Sequence, residues 1–394
     1  MIGQFEVSDT TRRPTGQRWE MGSDFHWTSD ALREPGADDA PWTLPEHELY
    51  ASATGAVASV LAGLSFSGRL HLPSFYCMEV ADALRVHARI AWYRELPDAP
   101  GPGLATLDAH EGDAVLVQNL FGRSSRCSWQ DWCAEHHGLV VIEDHTHDPL
   151  SSWACSSTAD YAVASLRKTL PLPLGALLWS PRGHRLPAAR RPAHQAGHQR
   201  LTAMLLKAAW LQGAPVEKDS YRRLFADGER ALSADEAVAS GASSADLLTA
   251  LDVRRLRSAR ARNVGLFREM LQTSERAGAE EPYWSLLDHG WSEGVPFNAQ
   301  LLCRSEPVRD AVLAHLISHD VYPAVHWRQG PASSTSGDPC AVDQAGRILT
   351  VPLDHRYSAL DVSRLVRILN RFTLGSCESS AVTATHRHPR GAQA

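Results

Sequence analysis

The chain has 394 residues, 43% of them hydrophobic, and 39 basic against 45 acidic side chains give a formal net charge of −6. This balance excludes a disordered chain and a protein that holds nucleic acid through bulk positive charge, and the length supports two domains. Only Lys168, Lys207 and Lys218 are lysine, leaving 36 arginines among the 39 basic residues, so chemistry that needs an amine has few candidates.

Residues 1–45 are polar and rich in Pro, Gly and Asp, and are expected to form an arm. The Ala-rich stretch from Glu46 to Leu64 carries apolar residues at helical spacing and predicts a helix ended by Gly68, with RLHLPSF as the following strand. VADALRVHA predicts a helix, IAWYREL and GDAVLVQNLFG strands, SWQDWCAEHHG a helix and LVVIEDHTHDP a buried strand with an acidic end. ADYAVASLRK and GALLWSP add two short strands around a turn. Strands alternating with helices imply an α/β fold with a mainly parallel sheet covered on both faces.

Beyond a polar stretch, LTAMLLKAAWLQG and the long ADLLTALDVRRLRSARARNVGLFREMLQ predict helices, with Lys207 in the first and Lys218 in a polar loop. A smaller α/β unit follows, with strands VPFNAQLLC, VYPAVHW and GRILTVPLD and helices VRDAVLAHLISHD and ALDVSRLVRILNRF. The expected division is an arm at 1–45, a large domain at 46–245, a small domain at 246–374 and a disordered tail at 375–394. Seven scattered cysteines without a CxxC pair indicate neither a disulfide framework nor a cysteine zinc site. The first residues lack the apolar stretch of a signal peptide, and no run approaches the roughly 20 apolar residues that span a bilayer. A cytoplasmic protein with no membrane or nucleic-acid partner is the expectation.

Two segments could carry chemistry. In LVVIEDHTHDP, four apolar residues deliver Glu143 and Asp144 to the carboxyl end of a buried strand, where ligands of open α/β sheets collect. His145 and His147, flanked by Asp144 and Asp148, also match a loose metal-hydrolase pattern, or they simply cap the loop. In ASLRKTLPLPLGALLWSP, Lys168 follows a short strand, with Ser165 and Arg167 beside it and a Pro- and Gly-rich turn behind. A lysine in a constrained apolar setting has a depressed pKa and can serve as a Schiff-base nucleophile. Its alternative is an exposed turn lysine, which the scarcity of lysines weighs against.

An acid ending one strand and a lysine ending its neighbour suit pyridoxal-phosphate (PLP) chemistry, in which the acid keeps the pyridine nitrogen protonated and the lysine holds the cofactor. From MGSDFHW (21–27), ASATGAVASVL (51–61), LPSFYCMEVADAL (72–84), VLVQNLFG (115–122) and VIEDHTHD (141–148), the chain resembles the DegT/StrS-type aminotransferases over roughly residues 20–370. The resemblance implies fold type I, with a mainly parallel seven-stranded sheet in a large domain and a smaller C-terminal α/β domain. It places the PLP phosphate at Ala53, Thr54 and Ser165, an aromatic over the pyridine at Tyr76 (or Phe75), and Asn119 where relatives carry histidine. Asp144 then meets the pyridine nitrogen, His147 the 3′-oxygen, and Lys168 takes the role of the reacting amine. It also implies a homodimer with the active site at the interface, for which the segment around His194–Arg200 is a source of partner residues.

The chain departs from the family pattern in two places. Ser165 lies closer to the lysine, which Thr-Leu-Pro-Leu-Pro follows, and Leu174-Gly175-Ala176 replaces a glycine-rich turn. The expected activity is transamination of a keto-sugar or an amino/keto acid. The same cofactor serves elimination, dehydration, decarboxylation or carbon–carbon bond formation, and a non-catalytic scaffold is a further alternative. For the substrate, Asn298, His326 and Arg356 are candidates from the C-terminal unit, Arg356 because its planar fork matches a carboxylate. The competing role for Arg356 is a surface ion pair with Asp354 or Asp361.

Overall fold

The computed structural model of the chain describes residues 16–34, 46–124, 126–233, 238–275, 282–287, 294–330 and 334–374. In chain order come β1 (Met21–Gly22), β2 (His47–Tyr50), α1 (Ala53–Gly63), β3 (Arg69–Pro73), α2 (Met78–Leu84), β4 (Arg89–Tyr93) and β5 (Ala114–Gln118). Then follow α3 (Cys127–Glu135), β6 (Val140–Asp144), α4 (Ser152–Cys155), β7 (Tyr161–Ser165), β8 (Ala176–Trp179) and β9 (Arg191–Pro192). The helical stretch is α5 (His194–Leu211), α6 (Lys218–Ser233), β10 (Val238–Ala239), α7 (Ala242–Ala250) and α8 (Val253–Glu275). The last part is β11 (Trp284–Leu286), β12 (Ala299–Cys303), α9 (Glu306–Ile317), β13 (Val321–Tyr322), α10 (Pro339–Arg347), β14 (Ile348–Val351) and α11 (Ala359–Asn370).

The main sheet has nine strands in the order β4-β3-β5-β6-β7-β8-β2-β10-β9, against the seven expected, the surplus being the two-residue strands β10 and β9 at one edge. Its first five strands are parallel, and both faces are covered, which is why their sequences read as near-continuous apolar runs. Val115, Val117 and Val141 meet Trp129 and Trp132 on one face, while Leu70, Leu116 and Ile142 meet Val57 and Leu61 of α1 on the other. A second core is built on the antiparallel sheet β11-β12-β14, where Phe267, Leu301, Val312, Leu349 and Leu365 pack together. Among the described residues no helix is long and apolar enough to cross a membrane.

Several local expectations are corrected. The helix expected from Glu46 begins only at Ala53, because His47–Tyr50 pairs antiparallel with β8 and Ser52 caps α1 by accepting from the Gly55 amide at 3.1 Å. The long helix is two helices, separated at Leu251–Asp252, where the Asp252 amide turns to the Ala31 carbonyl at 3.0 Å. Lys218 starts helix α6 instead of lying in a loop. The N-terminal segment is no loose arm where it is described. Met21 is fully buried in the second core and β1 pairs in parallel with β13. Gly22, at φ +91°, allows that approach, since a Cβ there would lie 2.1 Å from the Tyr322 carbonyl oxygen. The tail at 375–394 and the arm segments 1–15 and 35–45 lie outside the described residues.

One buried acid makes stability depend on pH. Glu95, after β4, is 3% exposed and accepts from Gln118 Nε2 at 3.1 Å, and burial pushes its carboxyl up to about 8 against the hydrogen bonds from Gln118 and Tyr93. The unfolded chain releases this proton near the ordinary 4.5, so the folded state binds more protons between those values, and stability falls as pH rises through the window. The full difference corresponds to about 5 kcal/mol. Glu95→Gln is therefore expected to unfold at higher urea than the parent at pH 8.5 and at nearly the same urea at pH 5; equal midpoints at both would contradict it.

Candidate active site

Strand register gathers the candidate residues at one end of the central strands of the main sheet. Asp144 ends β6 opposite Val163 of β7, Ser165 ends β7 opposite Ala176 of β8, and Ala176 stands opposite Tyr50 of β2. Tyr50, about two strand spacings or roughly 10 Å from Ser165, leads through Ser52 into α1. The amides of Ala53 and Thr54 make no hydrogen bond among the described residues, which leaves them available to an anion at the N-terminus of an eleven-residue helix.

The three lysines have different fates. Lys207, fully buried, gives its ammonium to Glu20 at 2.7 Å and to the carbonyls of Asp24 and Gly22 at 2.7 and 3.3 Å. Lys218 meets the other oxygen of Glu20 at 2.9 Å and the Tyr322 hydroxyl at 2.8 Å. Lys168 ends the short helical turn after β7, and among the described residues its amine has no hydrogen-bond or ion-pair partner. Burial pushes its pKa down to about 8, with Arg167 adding to the fall and Glu229 and Cys77 opposing it, so a large share of the amine is neutral near that pH.

Around this amine the segment after β6 forms a network of short bonds. Asp144 Oδ1 accepts from the Thr146 amide at 2.9 Å, an Asx turn, and Thr146 Oγ1 in turn accepts from the Ser165 amide at 3.0 Å. Thr146 thus ties the acid's loop to the strand end before Lys168, a role that sequence reading missed although Asp-x-Thr is a turn signal. Tyr76 donates its hydroxyl to Asp144 Oδ2 at 3.3 Å. Phe75 is completely buried against Phe121 and Trp327, so Tyr76 is the one of the two that faces Asp144.

His147 is held between Phe121 and Phe297, with ring centroids at 5.5 and 4.6 Å, and its Nδ1 accepts from the Phe121 amide at 2.9 Å. Burial, then the charges of His326 and Lys168, keep its pKa well below the ordinary value. The neutral ring therefore carries its proton on Nε2, which makes that nitrogen a donor. Phe121 itself has φ +54°, strained backbone of the kind that clusters at functional sites. Asn119 is 2% exposed; its Nδ2 donates weakly to Ser151 Oγ at 3.4 Å and its Oδ1 has no partner among the described residues.

The metal alternative is not assembled. His145 turns to Glu143 at 2.9 Å, whose other oxygen takes the Trp153 indole N–H, while His147 turns to Phe121 and Asp148 to Arg257 and Arg260. No group of three His, Cys, Asp or Glu among the described residues is placed to hold a metal ion.

The substrate candidates scatter. Arg356 is 5% exposed at its side chain and bonds Asp354 through both Nε and Nη2 at 2.8 Å. Its remaining N–H groups reach the carbonyls of Gly22, Ser23 and Asp24. That fork is fully occupied, so the carboxylate grip is replaced by a buried clamp on the N-terminal segment. Asn298, at φ +60°, uses its Oδ1 to accept from the Leu353 amide at 2.8 Å, a backbone role. His326 does reach the cluster: it is 1% exposed, bonds Thr350 Oγ1 at 2.7 Å, and burial with the charge of Lys168 pushes its pKa down to about 3.

No protein-family model and no curated protein sequence matches the chain. Solved structures do. A DegT DnrJ EryC1 StrS aminotransferase from Brucella abortus superposes with a TM-score of 0.57 at 14% identity, over 83% of this chain and 85% of that one. The aminotransferase TlmJ from Streptoalloteichus hindustanus gives 0.53 at 16% identity, over 82% and 85%. A Streptococcus pneumoniae protein described as a sugar aminotransferase, in its PLP form, gives 0.56 at 12% identity, over 83% and 86%. The chain has the fold of these aminotransferases, fold type I, and at such identities the likeness is one of fold.

Proposed function

We propose that the protein is a PLP-dependent aminotransferase of the DegT/StrS type. The observation that carries this reading is Lys168, the one lysine without a partner among the described residues, half-buried in the turn after β7 that Thr146 ties to the loop of the strand-end acid Asp144, on a fold shared with aminotransferases. The residues present fit the cofactor. The amides of Ala53 and Thr54, with Ser165, would hold its phosphate, Asp144 its protonated pyridine nitrogen and the Nε2–H of His147 its 3′-oxygen. The buried Oδ1 of Asn119, without a hydrogen-bond partner among the described residues, is a further polar atom next to Asp144, whose carbonyl accepts from the Asn119 amide at 2.9 Å. Bound there, the cofactor supplies an electron sink for charge developing on a substrate carbon. Lys168 Nζ takes a proton when neutral and returns it when charged, and a pKa near ambient pH suits both halves of that task. Tyr76 and the Thr146 amide hold the Asp144 carboxylate in place for its partner.

The substrate class in this reading is a keto-sugar or an amino/keto acid, and the assembly is a homodimer. Purified protein mixed with PLP is expected to develop the absorbance of a lysine-bound cofactor, and borohydride should then fix PLP on the Lys168 peptide. An amino donor such as glutamate should convert the bound cofactor to its pyridoxamine form. A protein that ignores PLP would overturn the reading, and one that binds PLP yet converts with no amino donor would shift it to another PLP reaction.

A further inference from the structure

The turn that carries Lys168 is held from both sides by one ring of contacts. Arg167, immediately before the lysine, bonds Glu229 Oε1 of α6 at 2.6 Å. The other oxygen of Glu229 receives Arg200 Nη1 of α5 at 3.0 Å, and Arg200 Nε donates to the Pro173 carbonyl, beyond the lysine, at 2.8 Å. Arg200 Nη2 reaches Asp24 of the N-terminal segment at 3.0 Å. Its side chain is 6% exposed and crosses α6 at Gly228, where a Cβ would stand 2.5 Å from Arg200 Cγ. Glycine at that position keeps the arginine's path open.

We propose that Glu229 is a positioning residue for Lys168: it closes the clamp Arg167–Glu229–Arg200–Pro173 around the lysine turn, and Asp24 anchors the clamp to the N-terminal segment. This rests on the reading of Lys168 as the reacting amine. The groups that face the amine are Cys77 from the cap of α2, Arg167, Arg200 from α5, Glu229 from α6, His147 after β6 and His326 after β13. Burial holds Cys77 as the thiol and both histidines neutral near pH 7 to 8, so among these groups the two arginines and the glutamate carry charge. Removing the glutamate should disfavour the ammonium, and removing an arginine should favour it.

The test uses full-length protein without PLP, so its result is independent of whether the cofactor binds. Lysines are labelled with acetic anhydride across pH and the three lysine peptides are quantified by mass spectrometry, with Lys218 as the internal reference. Glu229→Gln is expected to move the Lys168 midpoint down by roughly one pH unit, a several-fold rise in labelling at pH 7. Arg167→Gln is expected to move it up, and Glu229→Asp to stay near the parent. Shifts of the same sign, or unmoved midpoints in folded protein, would overturn the proposal. If Glu229→Gln does not fold, the upward shift in Arg167→Gln decides alone. A loss of structure lowers protection of every lysine together and cannot produce opposite shifts at one of them.

Discussion

Protein carrying Lys168→Ala is expected to show no lysine-bound PLP absorbance, to retain no cofactor on its peptides after borohydride, and to lose roughly 10³-fold or more of any amino-transfer activity. The size follows from one amine having two duties, as the attachment point for the cofactor and as the group that moves the proton. No neighbour can stand in, because Lys207 and Lys218 are both bound to Glu20. The same substitution should leave the urea midpoint unchanged or slightly raised, since the amine has no partner to lose and its burial is unfavourable. Lys207→Met supplies the contrast: it breaks a fully buried ion pair and is expected to lower stability while leaving PLP absorbance intact. Retention of the cofactor band in Lys168→Ala would remove the basis of the functional assignment.

The largest loss of stability is expected at Asp148, which no catalytic role requires. Its carboxylate is wholly buried and takes two bonds from Arg257 at 2.7 Å, one from Arg260 at 3.2 Å and one from the Val295 amide at 2.8 Å. These join the loop after β6 to α8 and to the segment entering β12. Asp148→Asn removes the charge and leaves the buried Arg260, 4% exposed, without its acid. Breaking one side of such a pair typically destabilises by about 3–5 kcal/mol. Urea unfolding should show a loss of that order, whereas a loss below about 1 kcal/mol would show that water reaches the arginines and that the contact resembles a surface pair.

Much of the site was legible because it depends on local pattern. Buried parallel strands read as apolar runs whose last residues fall at one end of the sheet, so Asp144, Ser165 and Lys168 could be placed there from their distance past those runs. The start of α1 was legible for the same reason, although His47–Tyr50, read as part of the same helix, form strand β2. Arg356 and the His145–His147 pair were misleading because residue type and spacing are blind to competing partners. Arg356 finds Asp354 and three carbonyls more than 300 positions away in the chain. His145 and His147 are two residues apart yet face a glutamate and a backbone amide in different parts of the core.

The sequence by itself determined the layered α/β architecture and the scarcity of lysine, because hydrophobic periodicity and residue counts are properties of the chain alone. It could name three amines and rank one by position. Tertiary structure decided which amine is free to react. Glu20, contributed by the N-terminal segment, neutralises both Lys207 and Lys218, while Glu229, whose charge acts on Lys168, is itself held by two arginines. A buried charge is tolerated only where folding brings it a partner, and which charges meet is settled by packing between elements far apart in sequence.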